Sequence, residues 1–241
     1  MPWYYAVAER DHEIQNPTSA EKIGLLGEYL RLGPETRVLD LACGKGGPAL
    51  LLASTFGCSV YGIERAPEFV EAAHQRIEAA GLTDLVEVVE ADAHAVPLEP
   101  EAWDAALCLG ATFVWDDLAG TIAALTPAVR RGGHVVIGEP YWRQWPLPRG
   151  IDDQGWVALH ETVARFEAAG LVLEGLIASS EQNWDHYESQ HWRALEEWLA
   201  ENPRDPDAAD IRERHEQARD DYLSFQRELL GWAIFVARKP Y

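Results

Sequence analysis

Apolar positions along this chain fall into short continuous runs, separated by stretches with helical spacing. Leu25, Leu26, Tyr29 and Leu30 form one helical stripe, with Thr18 and Glu21 at capping-box spacing before it and Gly33-Pro34 after it. The run Arg37–Leu41 predicts a buried strand, followed by a glycine-rich turn and a helix carrying Leu50, Leu51, Leu52 and Phe56. Ser59–Ile63 predicts a second strand. Pro67 suits the first turn of the next helix, in which Phe69, Val70, Ala73 and Ile77 share a face. Further strands are predicted at Leu85–Glu90, Asp104–Leu109, His134–Gly138, Leu171–Ala178 and Leu230–Ala237. Helices are predicted at about Asp117–Val129 and Val157–Ala169. Strands alternating with helices predict an α/β chain with a parallel sheet covered on both faces.

Residues 180–227 break this rhythm, being far too long for a hairpin loop. They read as two helices split by Asn202-Pro203-Arg204-Asp205-Pro206. Ile211, His215, Ala218, Tyr222, Phe225 and Leu229 lie on one helix face, and the preceding helix carries Trp184, Tyr187, Trp192, Leu195 and Trp198. The expectation is a single domain over residues 1–241, with 180–227 as a helical insertion that packs on the core and forms a lid.

Composition narrows the possible partners. With 241 residues, 47% of them hydrophobic, the chain is long enough for one large α/β core and is not a disordered sequence. A formal net charge of −20 disfavours nucleic acid and anionic membrane surfaces as partners. No apolar run reaches the roughly 18 residues of a membrane helix, and the N-terminal residues lack the layout of a signal peptide, so a cytoplasmic location is expected. Cys43, Cys58 and Cys108 form no C-x-x-C, and the histidines are scattered, so no metal site is expected.

The chemistry concentrates at Val38-Leu39-Asp40-Leu41-Ala42-Cys43-Gly44-Lys45-Gly46-Gly47. An apolar strand runs into small residues and then into a helix N-terminus, which lets a ligand approach the backbone. Gly44-x-Gly46-x-x-Ala49 also satisfies the dinucleotide fingerprint, so the turn alone does not choose the ligand. Glu64, 20 residues after Gly44 at the end of the second strand, is placed to accept hydrogen bonds from ribose hydroxyls of either ligand class. Asp92-Ala93 follows the third strand, where Asp92 either holds an adenine edge or caps the loop. Asp40 discriminates best: an acid there opposes a pyrophosphate but suits a ligand carrying an ammonium and a sulfonium.

Val38–Gly47 resembles motif I of class I S-adenosylmethionine (SAM)-dependent methyltransferases, D-x-(G/A)-x-G-x-G, with Ala42 in the first glycine's place. Glu64, Glu90-Ala91-Asp92-Ala93 and Arg130-Arg131-Gly132-Gly133 are similar to that family's later motifs. His12-x-Ile14-x-Asn16-Pro17, Gly110-Ala111-Thr112, Gly138-Glu139-Pro140-Tyr141-Trp142-Arg143 and Gly231-Trp232 resemble one bacterial branch of it. The resemblance implies a Rossmann-like sheet ordered 3-2-1-4-5-7-6 with strand 7 antiparallel. It implies SAM as cofactor and S-adenosylhomocysteine as product. By position, Asp40, Ala42, Gly44 and Gly46 would face the methionine part, Glu64 the ribose, Arg65, Asp92 and Ala93 the adenine, and Leu109 the methionine side.

Acceptor candidates follow the ends of the fourth and fifth strands: Thr112, Glu139, Tyr141 and Trp142, with Trp115 and Trp145 nearby and His12 folding over the same mouth. Leu109-Gly110-Ala111-Thr112 replaces the N/D-P-P-Y of enzymes that methylate amide or base nitrogens, so a small-molecule acceptor is expected. Cys43 and Cys108 raise arsenic methylation as a minor option. An NAD-linked oxidoreductase and a catalytically silent SAM-binding protein remain the competing readings.

Overall fold

The computed structural model describes residues 2–241, without the side chains of Pro2 and Trp3. The chain begins with α1 (Pro2–Ala8) and α2 (Ala20–Tyr29), then runs β1 (Arg37–Leu41), α3 (Gly47–Phe56), β2 (Ser59–Glu64), α4 (Pro67–Ala80) and β3 (Val86–Glu90). It continues with β4 (Trp103–Leu109), α5 (Leu118–Leu125), β5 (Val129–Trp142), α6 (Leu159–Ala168), β6 (Val172–Ala178), α7 (Glu181–Glu201), α8 (Ala208–Asp221) and β7 (Leu230–Arg238). The seven-stranded sheet has the order β3-β2-β1-β4-β5-β7-β6. β1 to β5 pair in parallel, and β7 runs antiparallel to both of its neighbours. The expected class I methyltransferase arrangement is therefore present.

Alternation along the strands divides the core between the two faces of the sheet. Val38 and Leu107 pack in one apolar cluster, whereas Leu39, Leu41, Ala106 and Cys108 pack in the other. Both faces are covered, so these strands read as unbroken apolar runs rather than alternating ones.

Three local differences from the sequence reading have physical causes. Ser19, not Thr18, caps α2, its hydroxyl accepting from the Lys22 amide at 3.4 Å. β5 is much longer than His134–Gly138. Gly132 takes φ 75° beside a register shift opposite Trp103, so the strand begins at Val129 instead of after a turn. At its other end β5 outruns β4, whose last partner is Gly138, and pairs β7 from Glu139 to Trp142, with Trp142 also bridging Ala158. Pro140 therefore costs no β4 ladder bond. In this extension the glycines make room for aromatic rings. A Cβ at Gly138 would overlap the Trp232 indole, and one at Gly231 would overlap the Tyr141 ring.

The third difference is α1. Its Val7 and Ala8 join Leu195 and Leu199 of α7 and Ala208 and Ile211 of α8 in a third, smaller apolar cluster. The insertion itself forms the expected helical pair. Ile211, His215, Tyr222 and Leu229 are buried, whereas Ala218 is exposed and Phe225 only partly covered. Ser180 and Asn183 complete a capping box at the start of α7.

Candidate active site

The site lies where β1, β2 and β4 end. After Leu41 the backbone turns sharply, with Ala42 at φ 54°, Gly44 at φ 56° and Gly46 at φ 71° before α3 begins at Gly47. A left-handed conformation strains a residue with a Cβ by about 1–2 kcal/mol, so Ala42 holds a turn that glycine would make freely.

Residues 9–17, which follow α1, lie as a strap across this turn. Gln15 Oε1 accepts from the Lys45 amide at 2.7 Å, and Asn16 Nδ2 donates to the Leu109 carbonyl at 3.1 Å. Lys45 Nζ donates to the carbonyls of Glu9 at 2.7 Å and Arg10 at 3.0 Å, and Arg76 donates to that of Glu13 at 3.1 Å. The strap also explains three glycines. A Cβ at Gly44 would strike Gln15, one at Gly47 the Glu13 carbonyl, and one at Gly110, with φ 81°, Asn16. The small residues read as ligand clearance thus also clear the strap, and Lys45 is engaged by it.

Beneath the strap is a cavity of about 600 Å³, within the range of ligand sites. Its walls include Asp40, Ala42, Gly44, Glu64, Arg65, Asp92, Ala93 and Leu109. Of the nine cofactor residues expected from the sequence, only Gly46 is not on the wall; its neighbours Gly47 and Pro48 are.

Asp40 is 1% exposed, and its Oδ2 has no hydrogen-bond partner. Burial, and secondarily the charge of Glu64, raise its carboxyl to about 7. Two acids in one water-poor corner favour a cationic ligand. Glu64 is occupied in part: Oε2 accepts from the Gly44 amide at 3.0 Å, and Oε1 from those of Arg65 at 2.9 Å and Ala66 at 2.8 Å. Asp92 Oδ1 accepts from the His94 amide at 3.0 Å, so Asp92 shapes its loop while also lining the cavity.

This geometry coincides with family likeness. A methyltransferase-domain family model matches residues 38–133. The chain is 33% identical to YjhP of Escherichia coli K12 over 98% of both chains. A SAM-dependent methyltransferase from Geobacter sulfurreducens, solved in complex with S-adenosylhomocysteine, superposes with a TM-score of 0.93 at 33% identity, covering 99% of this chain and 98% of that one. The chain belongs to the class I SAM-dependent methyltransferases. A second such methyltransferase, from Thiobacillus denitrificans and also in complex with S-adenosylhomocysteine, gives a TM-score of 0.92 at 31% identity, covering 99% of both chains. Among curated relatives, the 27-O-demethylrifamycin SV methyltransferase of Amycolatopsis mediterranei is 28% identical over 89% of this chain and 81% of its own. SAM is the methyltransferase's cofactor, and the unpartnered Asp40 Oδ2 fits a cation in that cavity.

The expected acceptor residues lie elsewhere. Glu139 is buried beside Thr112, whose hydroxyl donates to its Oε2 at 2.8 Å, and burial raises its carboxyl to about 7. Tyr141 and Trp142 pack on opposite faces of the sheet, and Trp142 Nε1 donates to the Asp153 carbonyl at 3.0 Å. None of these four residues is on the cavity wall, and neither is His12. The wall instead takes Tyr5, Glu9, Phe113, Trp156 and Tyr187. No motif marks these five, because α1, the strap, α7 and the segments after β4 and β5 bring them together from distant parts of the chain. Cys43 and Cys108 belong to opposite faces of the sheet and form no thiol pair. No helix among the described residues is long and apolar enough to cross a membrane.

Proposed function

We propose that this methyltransferase passes the SAM methyl group to a small organic molecule held in the same cavity. The observation that carries this reading is the cavity itself. One cavity is lined on one side by the strand tips and on the other by Tyr5, Glu9, Phe113, Trp156 and Tyr187. The strap and Tyr187 of α7 border it, which gives it the dimensions of a small-molecule site. The net charge of −20 also disfavours nucleic acid. The 27-O-demethylrifamycin relative, whose name states a small-molecule acceptor, is consistent with this class.

In this reading Asp40 faces the cofactor's positive groups, and Ala42, Gly44 and Gly46 shape the turn along its methionine part. Glu64 takes the ribose hydroxyls on the lone pairs that the three amides leave free. Arg65, Asp92 and Ala93 border the adenine, and Leu109 borders the sulfur side. SAM supplies an activated methyl group, so the residues chiefly align the acceptor for in-line displacement, an effect worth roughly 7–11 kcal/mol. Tyr5, Phe113, Trp156 and Tyr187 wall the acceptor side. Thr112, Glu139, Tyr141 and Trp142 support the floor from behind, and residues 180–227 act as the lid.

The test is S-adenosylhomocysteine release measured across separate panels of small molecules, oligonucleotides and peptides. Turnover confined to the small-molecule panel supports the reading, and turnover confined to a polymer panel overturns it.

A further inference from the structure

At the cavity wall, on the side formed by Glu9 and Tyr187, three chemically matched side chains converge from opposite ends of the chain. Glu9 and His12 come from the strap, and His191 comes from α7. Glu9 is 5% exposed and His12 2% exposed. Their ligating atoms all lie within 4.8 Å of one another. Glu9 Oε1 is satisfied by the Tyr187 hydroxyl at 2.8 Å and faces His191 Nε2 at 3.0 Å.

The other half of the cluster is not satisfied. His12 Nε2 lies 3.0 Å from the Tyr187 carbonyl, which can only accept, so this nitrogen carries the proton. His12 Nδ1 is then a bare lone pair, and it points at Glu9 Oε2 from 3.4 Å. Neither atom has a hydrogen-bond partner. Two buried acceptors face to face leave a gap that either an added proton or a metal ion fills.

We propose that Glu9, His12 and His191 form a site for a divalent ion of the zinc class, which pins the strap to α7. The spacing fits. Ligands at about 2.0–2.1 Å around a tetrahedral ion are separated by about 3.4 Å, the distance found between Nδ1 and Oε2. Two imidazoles and one carboxylate are a donor set for such metals, with a fourth position left to water. His12 is also backed as metal-bound histidines are, by the Tyr187 carbonyl, and Glu188 Oε2 faces His191 Nδ1 as a charge partner at 3.8 Å. Lys45 Nζ does not compete for the site, because the carbonyls of Glu9 and Arg10 hold it.

The site is independent of the acceptor's identity, so its test uses neither acceptor nor activity. The full chain, stripped with chelator, is titrated with Co²⁺ and then with Zn²⁺. One equivalent of Co²⁺ is expected to bind with the intense visible absorption of a tetrahedral ion, to be displaced by Zn²⁺, and to raise the melting temperature. Glu9→Gln keeps an acceptor for Tyr187, and His191→Gln leaves the strap intact. Each is expected to weaken binding by more than about 100-fold, since losing an outer-shell partner alone costs 10–100-fold. Circular dichroism checks that both variants are folded. Absence of saturable binding, or variants that bind as the parent does, overturns the proposal. So do nitrogen NMR shifts that place a proton on both His12 nitrogens at neutral pH and do not change with Zn²⁺.

Discussion

Replacing Glu64 by alanine separates two roles that this carboxylate combines. It accepts three backbone hydrogen bonds, from Gly44, Arg65 and Ala66, at 2.8–3.0 Å. A hydrogen bond to a charged group contributes about 1.5–3 kcal/mol. The Gly44 bond is buried, while those of Arg65 and Ala66 are only partly so and regain water in the variant. The expected loss of stability is thus about 3–4 kcal/mol, or roughly 10 °C in melting temperature for a chain of this size. The proposed ribose contact would add a second loss, seen only in binding. One charged hydrogen-bonding group is worth about ten- to a hundredfold in SAM affinity. Glu64→Gln should fall between parent and alanine. Its amide oxygen serves either Gly44 or the Arg65–Ala66 pair, while its NH₂ group meets the other N–H donors. Calorimetric titration with SAM at a temperature where all three proteins are folded, beside thermal melts, reads both effects. A folded alanine variant that binds SAM as the parent does refutes the ribose assignment. An unchanged melting temperature refutes the backbone role.

Ala42→Gly relieves the left-handed strain at φ 54° and is expected to stabilise the protein by about 0.5–1 kcal/mol, a rise of roughly 2–4 °C in a thermal melt. Glu139 makes stability depend on pH. Burial raises its carboxyl from 4.5 to about 7, so between those values the folded chain keeps a proton that the unfolded chain has lost. Its contribution therefore falls as pH rises through that window and stays low above it. Glu139→Gln removes this slope. Urea unfolding should show the variant gaining about 2–3 kcal/mol on the parent between pH 4.5 and pH 8. Equal slopes for the two proteins would contradict the burial argument.

The sheet and half of the site were legible in the sequence because both are written locally. Arg37–Leu41 is continuous in sequence and is β1 as predicted. The residues of the strand-tip side of the cavity follow strand ends, so fixed spacings place them. The other half of the cavity is made by contacts between distant residues. Glu9 and His191 stand 182 positions apart and meet only because α1 packs on α7. That is why the scattered histidines gave no sign of a metal site. The seven residues of α1 are too few to show a helical stripe. The conspicuous aromatics at the end of β5 lie off the cavity wall for a related reason. Tyr141 and Trp232 fill space left by Gly231 and Gly138 across the β5–β7 pair, and that packing is invisible until the strands are paired.

The cofactor's place is the claim on which the account rests, and a crystal structure of this chain grown with S-adenosylhomocysteine tests it most directly. The account expects the ribose against Glu64, the amino group on the Asp40 side and the adenine beside Asp92. Density for the nucleoside anywhere other than across the tips of β1 and β2, or an acidic ligand group seated against Asp40, would contradict it.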